Sequence, residues 1–396
     1  MRKTSLLVLF LTIFIDLLGF GIVIPLLPFF ARQYGATGTA VGVIVGVYSL
    51  MQFLFAPVLG RISDRIGRRP VLLISLAGSL SGYLLFAVAH SLAGLMLARI
   101  VAGIAGANIG TAQAYIADST SLEDRAKGMG LIGAAFGLGF ILGPPIGGLM
   151  SHLSAARGHA ANFYPGVTAA ALSATALLFA FFVLGESKTA AAPARRGLPP
   201  QFDPATWKMV SHRSALALVI GALFLVILSF AGMETTVTLY ARERFRFTAR
   251  DLGFFFGFMG VVVAMIQGTL IGKFSKKVGE HRLVVIGTFS FLLGFVAMPI
   301  IADRALLWPV AFVVALGQGL CYPSLHSLIS KSAPPEQMGS VLGLSASLGS
   351  LARMIGPVMF GALWDAGRAP AAFFTAAGIV FLAFLLSLRV RQPKHA

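Results

Sequence analysis

The sequence predicts an all-α membrane protein of twelve transmembrane helices, arranged as two pseudo-symmetric six-helix bundles with both termini cytoplasmic. Three observations carry the prediction. Of 396 residues, 57% are hydrophobic and 11% charged, less than half the roughly 25% charge of a soluble domain. Twelve apolar runs follow one another, each near the about 20 residues that cross a bilayer core. Landmarks of the first half recur in the second at a nearly constant offset of 212 or 213 residues.

The spans fall at 5–30, 40–60, 71–89, 92–117, 128–150 and 163–184, then at 214–240, 250–272, 283–301, 305–330, 338–363 and 370–389. The start, Met1-Arg2-Lys3 before an apolar run, imitates a signal peptide. The run continues past Asp16 to Phe30 with no small-residue cleavage signature, so it reads as a retained first span. The longest hydrophilic stretch, Glu186 to Arg213, is rich in Ala, Pro, Arg and Lys and divides the spans six and six. The expected domains are residues 1–185, a cytoplasmic linker 186–213, and residues 214–396.

Basic residues set the orientation. With the N-terminus inside, the cytoplasmic segments hold Arg2, Lys3, Arg61, Arg65, Arg68, Arg69, Arg125, Lys127, Lys188, Arg195, Arg196, Lys208, Arg213, Lys273, Lys276, Lys277, Arg282, Lys331, Arg389, Arg391 and Lys394. Eight lie outside, namely Arg32, Arg157, Arg242, Arg244, Arg246, Arg250, Arg304 and Arg368. The outer loop Ala241 to Arg250 runs against the rule.

Internal repetition explains the count of twelve. Gly60-Arg-Ile-Ser-Asp-Arg-Ile-Gly67 matches Gly272-Lys-Phe-Ser-Lys-Lys-Val-Gly279, and Gly143-Pro144 matches Gly356-Pro357. Gly148 and Gly361 keep the spacing. A shared offset at separated landmarks argues for a parallel duplication of six spans, which places a substrate site between the halves near the midplane.

Several function classes are excluded. The net charge of +17 suggests nucleic acid at first sight, but the basic residues sit in short clusters between apolar runs. No Gly-Lys-Ser/Thr phosphate loop is present, so ATP is not the energy source. No metal-ligand spacing and no nucleophile elbow occurs, and no cofactor or enzymatic chemistry is expected. The single cysteine, Cys321, lies in an apolar run and reads as a small core residue.

Four motifs point to one family. Gly60-Arg-Ile-Ser-Asp64-Arg65-Ile-Gly67-Arg68-Arg69 follows span 2 in a short loop. There Asp64 suits a helix N-terminus, whose dipole favours an anion, and the arginines suit carbonyl ends or anionic lipid. In the second half Lys276 replaces the acid, weakening any charge latch. Leu18-Gly-Phe-Gly21-Ile-Val-Ile-Pro25-Leu-Leu-Pro28 marks span 1, and Leu95-Met-Leu-Ala-Arg99-Ile-Val-Ala-Gly103 marks span 4. Gly139-Phe-Ile-Leu-Gly143-Pro144-Pro-Ile-Gly147-Gly148 marks span 5, with glycines for close helix approach and prolines for a kink.

In chain order these motifs resemble those of the major facilitator superfamily, in its twelve-helix drug/proton antiporter branch. The first half most resembles the tetracycline/proton antiporters, at Ser63-Asp-Arg-Ile-Gly-Arg-Arg-Pro70 and Phe136-Gly-Leu-Gly139. The resemblance implies a bacterial inner-membrane transporter, acting as a monomer on a small-molecule substrate with protons and the lipid bilayer as its other partners. Those antiporters carry a histidine and an aspartate in spans 8 and 9, whereas spans 8 and 9 here are read as containing no acid and no histidine. A general amphiphile is therefore expected rather than the metal chelate of tetracycline.

Ionisable groups inside a membrane are unfavourable and usually functional. Asp16 lies roughly 16 Å into span 1, at 1.5 Å per residue. Low dielectric penalises a carboxylate's charge, which suits such a group to proton exchange. Glu234, in the outer part of span 7, is the second candidate acid. Arg99, which matches the family arginine tied to proton coupling, is a candidate partner of Asp16. Arg353, midway along span 11, either attracts an anionic or zwitterionic substrate or pairs with Glu234. The neutral polar residues Gln52, Asn108, Gln113, Gln267, Gln318 and His326 are candidate cavity linings, and Gln113 and His326 correspond at the 213 offset. The leading expectation is proton-coupled efflux of a hydrophobic or amphiphilic molecule by alternating access. The alternative is uptake or facilitated transport of an anionic or zwitterionic metabolite, or lipid transport, on the same fold.

Overall fold

The structure is a computed structural model. It describes residues 3–120, 125–187, 200–334, 337–367 and 369–390, but not the side chains of residues 3–8, 125–130, 200 and 369. Arg2, Lys188, Arg195, Arg196, Arg368, Arg391 and Lys394 lie outside the described residues, as do the side chains of Lys3, Arg125 and Lys127. Twelve helices among the described residues are long and apolar enough to cross a membrane, and no strand occurs there.

Span 1 is α1 (Lys3–Val23) and α2 (Leu27–Gln33), joined by a tighter 3-10 turn at Ile24–Leu26. Pro25 and Pro28 cause that break, since neither can donate an N–H to the preceding turn. Spans 2 and 3 are α3 (Gly38–Ile66) and α4 (Arg68–Ala87). Span 4 is α5 (Leu92–Ala105) and α6 (Ile109–Ser119), again with a 3-10 turn between. Spans 5 and 6 are α7 (Arg125–Ala156) and α8 (Phe163–Val183). A short helix, α9 (Pro204–His212), occupies the end of the linker stretch. Spans 7 and 8 are α10 (Ser214–Phe245), then α11 (Ala249–Met265) and α12 (Ile271–Val278). A π-helical turn, Ile266–Leu270, joins the last two. Spans 9 to 12 are α13 (Glu280–Ala297), α14 (Leu307–Ser332), α15 (Met338–Asp365) and α16 (Ala369–Arg389).

Local chemistry sets these limits. Ser91 starts α5 by accepting the Gly94 N–H at 3.1 Å, an N-cap bond. Asp203 does the same for α9, accepting from Ala205 and Thr206. Between α3 and α4 the chain turns at Gly67 (φ 107°), and between α12 and α13 at Gly279 (φ 87°). Glycine adopts that backbone at no steric cost.

Two expectations about loops are corrected. The motif after span 2 is not a loop: residues 60–66 are the last turns of α3, and Gly67 alone separates it from α4. The contrary basic outer loop is also mostly helix. Arg242 and Arg244 belong to the last turn of α10, and Arg250 opens α11. Cations at a helix C-terminus complement its dipole, so Arg242 and Arg244 have a local reason to be there.

The chain packs as two compact units. The first comprises Met1–Ala36, Val47–Arg196 and Arg246–Gly257, and the second Thr37–Gly46, Gly197–Phe245 and Phe258–Ala396. Each thus takes in one stretch from the opposite half of the chain. In the first unit α1 packs on α7 and α8, and α4 packs on α5 and α8. In the second, α10 packs on α15 and α16, and α13 packs on α14 and α16. The pairings repeat element for element, as a duplicated six-span ancestor requires. Leu72, Leu76, Tyr115 and Ile116 fill the core of the first unit; Phe291, Phe295, Phe360 and Phe373 are fully buried in the second. Outward-facing apolar groups such as Phe182 (77% exposed) and Ile300 (70%) suit hydrocarbon rather than water as the surrounding solvent.

Candidate functional site

Asp16 stands on α1 in the first unit. Its Oδ1 is shut off from solvent with no hydrogen-bond partner, and the Ser79 hydroxyl of α4 is a neighbour of the carboxyl. Arg99 of α5 is 2% exposed and lies over the Tyr48 ring, 4.4 Å from its centroid. Its Nε and NH2 have no hydrogen-bond partner. The guanidinium is thus met by an aromatic face, a cation–π contact that is strongest when desolvated. The proposed Asp16–Arg99 ion pair does not form: each keeps unpartnered atoms, and Tyr83 lies within electrostatic reach of both. Close packing holds the group together. The Tyr83 ring would lie 3.1 Å from a methyl carbon built on Gly19 of α1. Gln52 donates to the Gly106 carbonyl at 3.0 Å, and Phe20 packs against both Tyr48 and Phe140.

Asn108 lies in the 3-10 turn between α5 and α6 and is partly buried, whereas Gln113 on α6 is exposed. They do not join the Asp16 group by any recorded bond among the described residues.

A second polar group lies in the second unit. Tyr322 of α14 lies within electrostatic reach of both Glu234 of α10 and Arg353 of α15, and His326 is within reach of Arg353. The Glu234 carboxyl has no hydrogen bond or ion pair among the described residues, so its suggested pairing with Arg353 is not formed. Arg353 instead donates to Ser350 Oγ at 3.1 Å, one helical turn back. Arg353 and His326 are exposed while Gln318 and Tyr322 are partly buried, which makes a polar face rather than a sealed ion pair. Gln267 sits in the π-helical turn with an exposed side chain. Such turns interrupt α-helices most often at functional positions.

The span 5 motif is a two-sided seam. Methyl carbons on Gly139, Gly143 and Gly147 would lie 2.9 Å from the Leu17 carbonyl oxygen, 2.5 Å from the Gly21 carbonyl carbon and 2.3 Å from the Ile22 oxygen. At spacing of four, these glycines let α7 touch α1 backbone to backbone. The adjacent stripe faces α11. One methyl carbon on Gly148 would meet the Ala249 oxygen at 2.7 Å, and another on Gly253 would meet the Pro144 oxygen at 2.4 Å. The second unit repeats both contacts, with Gly356 against Leu228 of α10 and Gly42 against the Pro357 carbonyl.

At the end of α3, Asp64 is not at a helix N-terminus as expected. It lies in the last turn, where the dipole disfavours an anion, and the Arg68 guanidinium compensates by bonding Asp64 and Asp118. The N-terminus of α4 is taken by Glu186, which accepts from the backbone N–H of Arg68 at 2.9 Å and of Arg69 at 3.1 Å. Arg69 also donates to the Phe181 carbonyl at 2.6 Å, at the end of α8. Gly60 has open space beside it, and Arg65 is exposed.

Sequence reasoning passed over Ser79, Tyr48, Tyr83, Asp118 and Glu186. Tyrosine offered a usable signal: the chain has seven against 33 phenylalanines, and a hydroxyl inside a membrane needs a polar neighbour. Asp251, the acid that opens span 8, was also missed. It bonds the Thr248 backbone and hydroxyl at 2.9 and 2.8 Å, as a helix cap.

Comparison with known proteins extends these observations over nearly the whole chain. The chain is 34% identical over 371 residues to the class E tetracycline resistance protein of Escherichia coli, covering 93% of this chain and 89% of that one. It is 32% identical over 443 residues to major facilitator superfamily domain-containing protein 10 of Bos taurus, covering 98% and 92%. The crystal structure of the human organic anion transporter MFSD10 (TETRAN) superposes with a TM-score of 0.74 at 27% identity, over 97% of this chain and 99% of that one. The family model of the Major Facilitator Superfamily matches residues 9–357. The chain belongs to the Major Facilitator Superfamily and is a multi-pass membrane transporter.

Proposed function

We propose that this protein expels a hydrophobic or amphiphilic small molecule across the bacterial inner membrane in exchange for protons, by alternating access. The observation that carries the reading is Asp16: a carboxyl in mid-span, with one oxygen enclosed and unpartnered and a hydroxyl, Ser79, at hand. Such a group is stable when neutral and unstable when charged and dry, so it binds and releases a proton as its surroundings change. Arg99 supplies the fixed positive charge nearby, with Tyr48 and Tyr83 as its polarisable cover. Similarity to the tetracycline resistance proteins supports efflux. The reading takes both termini as cytoplasmic, residues 1–185 and 214–396 as the moving bundles, and the chain as a monomer. The Gly60–Arg69 segment and the span 5 seam then serve the conformational change.

Everted vesicles test the reading. After a proton gradient is applied, wild-type protein should drive a fluorescent lipophilic cation into the vesicle lumen. Asp16→Asn should reduce that accumulation at least about tenfold, with normal expression and thermal unfolding. Unchanged transport by Asp16→Asn removes the proton-coupling assignment.

A second reading, transport of an anionic or zwitterionic molecule, is favoured by the exposed Arg353 in the middle of α15, with His326 and Tyr322 nearby. A carboxylated dye carried by wild-type protein and not by Arg353→Gln selects it.

A further inference from the structure

The two halves start their third and ninth spans alike, yet in only one does a carboxylate accept the first backbone N–H groups. In the first unit α4 begins after Gly67, and Glu186 takes the N–H groups of Arg68 and Arg69. In the second unit α13 begins after Gly279, at an offset of 212 residues, with the same positive-φ turn. No side chain among the described residues caps its first N–H groups. A cavity of about 840 Å³ lies there instead.

Its walls are cationic. Lys276, Lys277, Arg282 and Lys331 line it with one acid, Glu280. That acid is already engaged, accepting from Ser327 at 2.6 Å and Lys331 at 2.7 Å. Lys276, Lys277 and Arg282 form no ion pair among the described residues. His281 Nδ1, also in the wall, is enclosed and has no partner. Uncapped N–H groups at a helix start and three uncompensated cations together form an anion site.

The surroundings indicate the source of the anion. Leu388, near the end of α16, lines the cavity and is 52% exposed. An exposed apolar side chain beside a basic hollow at the end of membrane spans matches a headgroup with its acyl chains alongside.

We propose that this cavity binds the phosphate of an anionic phospholipid headgroup. The α13 N-terminus and Lys276, Lys277 and Arg282 hold the phosphate, and the acyl chains run along Leu388. The lipid fills the place that Glu186 fills in the other half. It therefore steadies the start of α13 by the same electrostatics, supplied by the membrane rather than by the chain.

Native mass spectrometry of the purified full chain tests this, with phosphatidylglycerol or phosphatidylcholine added in steps. Wild-type protein should retain phosphatidylglycerol preferentially. A triple variant, Lys276→Gln, Lys277→Gln and Arg282→Gln, should bind it at least about tenfold more weakly, as three lost cations near a phosphate imply. Phosphatidylcholine binding should not change. Arg65→Gln, in the half where Glu186 occupies the equivalent place, should retain phosphatidylglycerol. Equal phosphatidylglycerol binding by wild type and triple variant overturns the proposal. So does a variant-sensitive rise in thermal stability with inorganic phosphate alone, without lipid preference, since it assigns the cavity to a soluble anion. Both readouts are independent of transport, so the outcome separates from that of Asp16→Asn.

Discussion

A buried cation in this protein is stabilised by a ring rather than by an acid. Arg99 over Tyr48 should contribute about 2 kcal/mol where the pair is desolvated. Tyr48→Leu should therefore lower the thermal midpoint in detergent clearly, while Tyr48→Phe, which keeps the aromatic face, should lower it much less. Equal losses would show that the hydroxyl and not the ring matters. Glu234 gives a second residue-scale expectation. Its carboxyl has no partner among the described residues, so Glu234→Gln should leave stability within about 0.5 kcal/mol of wild type, as for substitutions that break no recorded contact. A large loss would place Glu234 in a structural bond.

At the scale of elements, α7 contains its own control. A methyl carbon on Gly143 would lie 2.5 Å from the Gly21 carbonyl carbon, whereas one on Gly137 would meet nothing within 4 Å. Gly143→Ala should destabilise the protein by about 1–3 kcal/mol through overpacking. Gly137→Ala should be neutral or stabilising by up to about 1 kcal/mol, because alanine favours the helix. The comparison needs only thermal unfolding of two variants. Capping makes a pH-dependent expectation for α9. Bonds from the Thr206 hydroxyl and the backbone of Ala205 and Thr206 hold the Asp203 carboxyl below the usual carboxylate range. A carboxylate with a depressed folded-state pKa contributes stability above its unfolded value and loses it as pH falls through the folded one. Protection factors of the Trp207 to Val210 amides, corrected for the intrinsic pH dependence of exchange, should therefore be higher at neutral pH and fall under acid. Asp203→Asn should flatten that dependence.

For the whole molecule, the twelve candidate spans among the described residues are expected to leave both termini on one side of the membrane. A C-terminal alkaline phosphatase fusion should be inactive and a fluorescent-protein fusion bright if that side is cytoplasmic. The reverse pattern would invert the orientation that the basic residues imply. The helices themselves were legible because length and hydropathy dictate them: span 7, expected at 214–240, is α10 at Ser214–Phe245. What was missed followed from charge read without geometry. Residues 60–66 looked like a loop because they are polar, but polar residues continue α3 once it leaves the hydrocarbon. Asp64 was assigned a helix start and sits instead at a helix end, because Glu186, distant in sequence, takes the start of α4.

Sequence alone determined the solvent, the number of spans, their duplication and the family, because each depends on composition, length or spacing along one chain. Tertiary structure decided which polar groups meet. It put Arg99 over Tyr48 rather than against Asp16, and set Ser79 beside Asp16. It left Glu234 and Arg353 without a bond to each other and opened a basic hollow where, among the described residues, none takes the part of Glu186. Those outcomes depend on the rotation and depth of neighbouring helices, which residue spacing within any single helix does not encode.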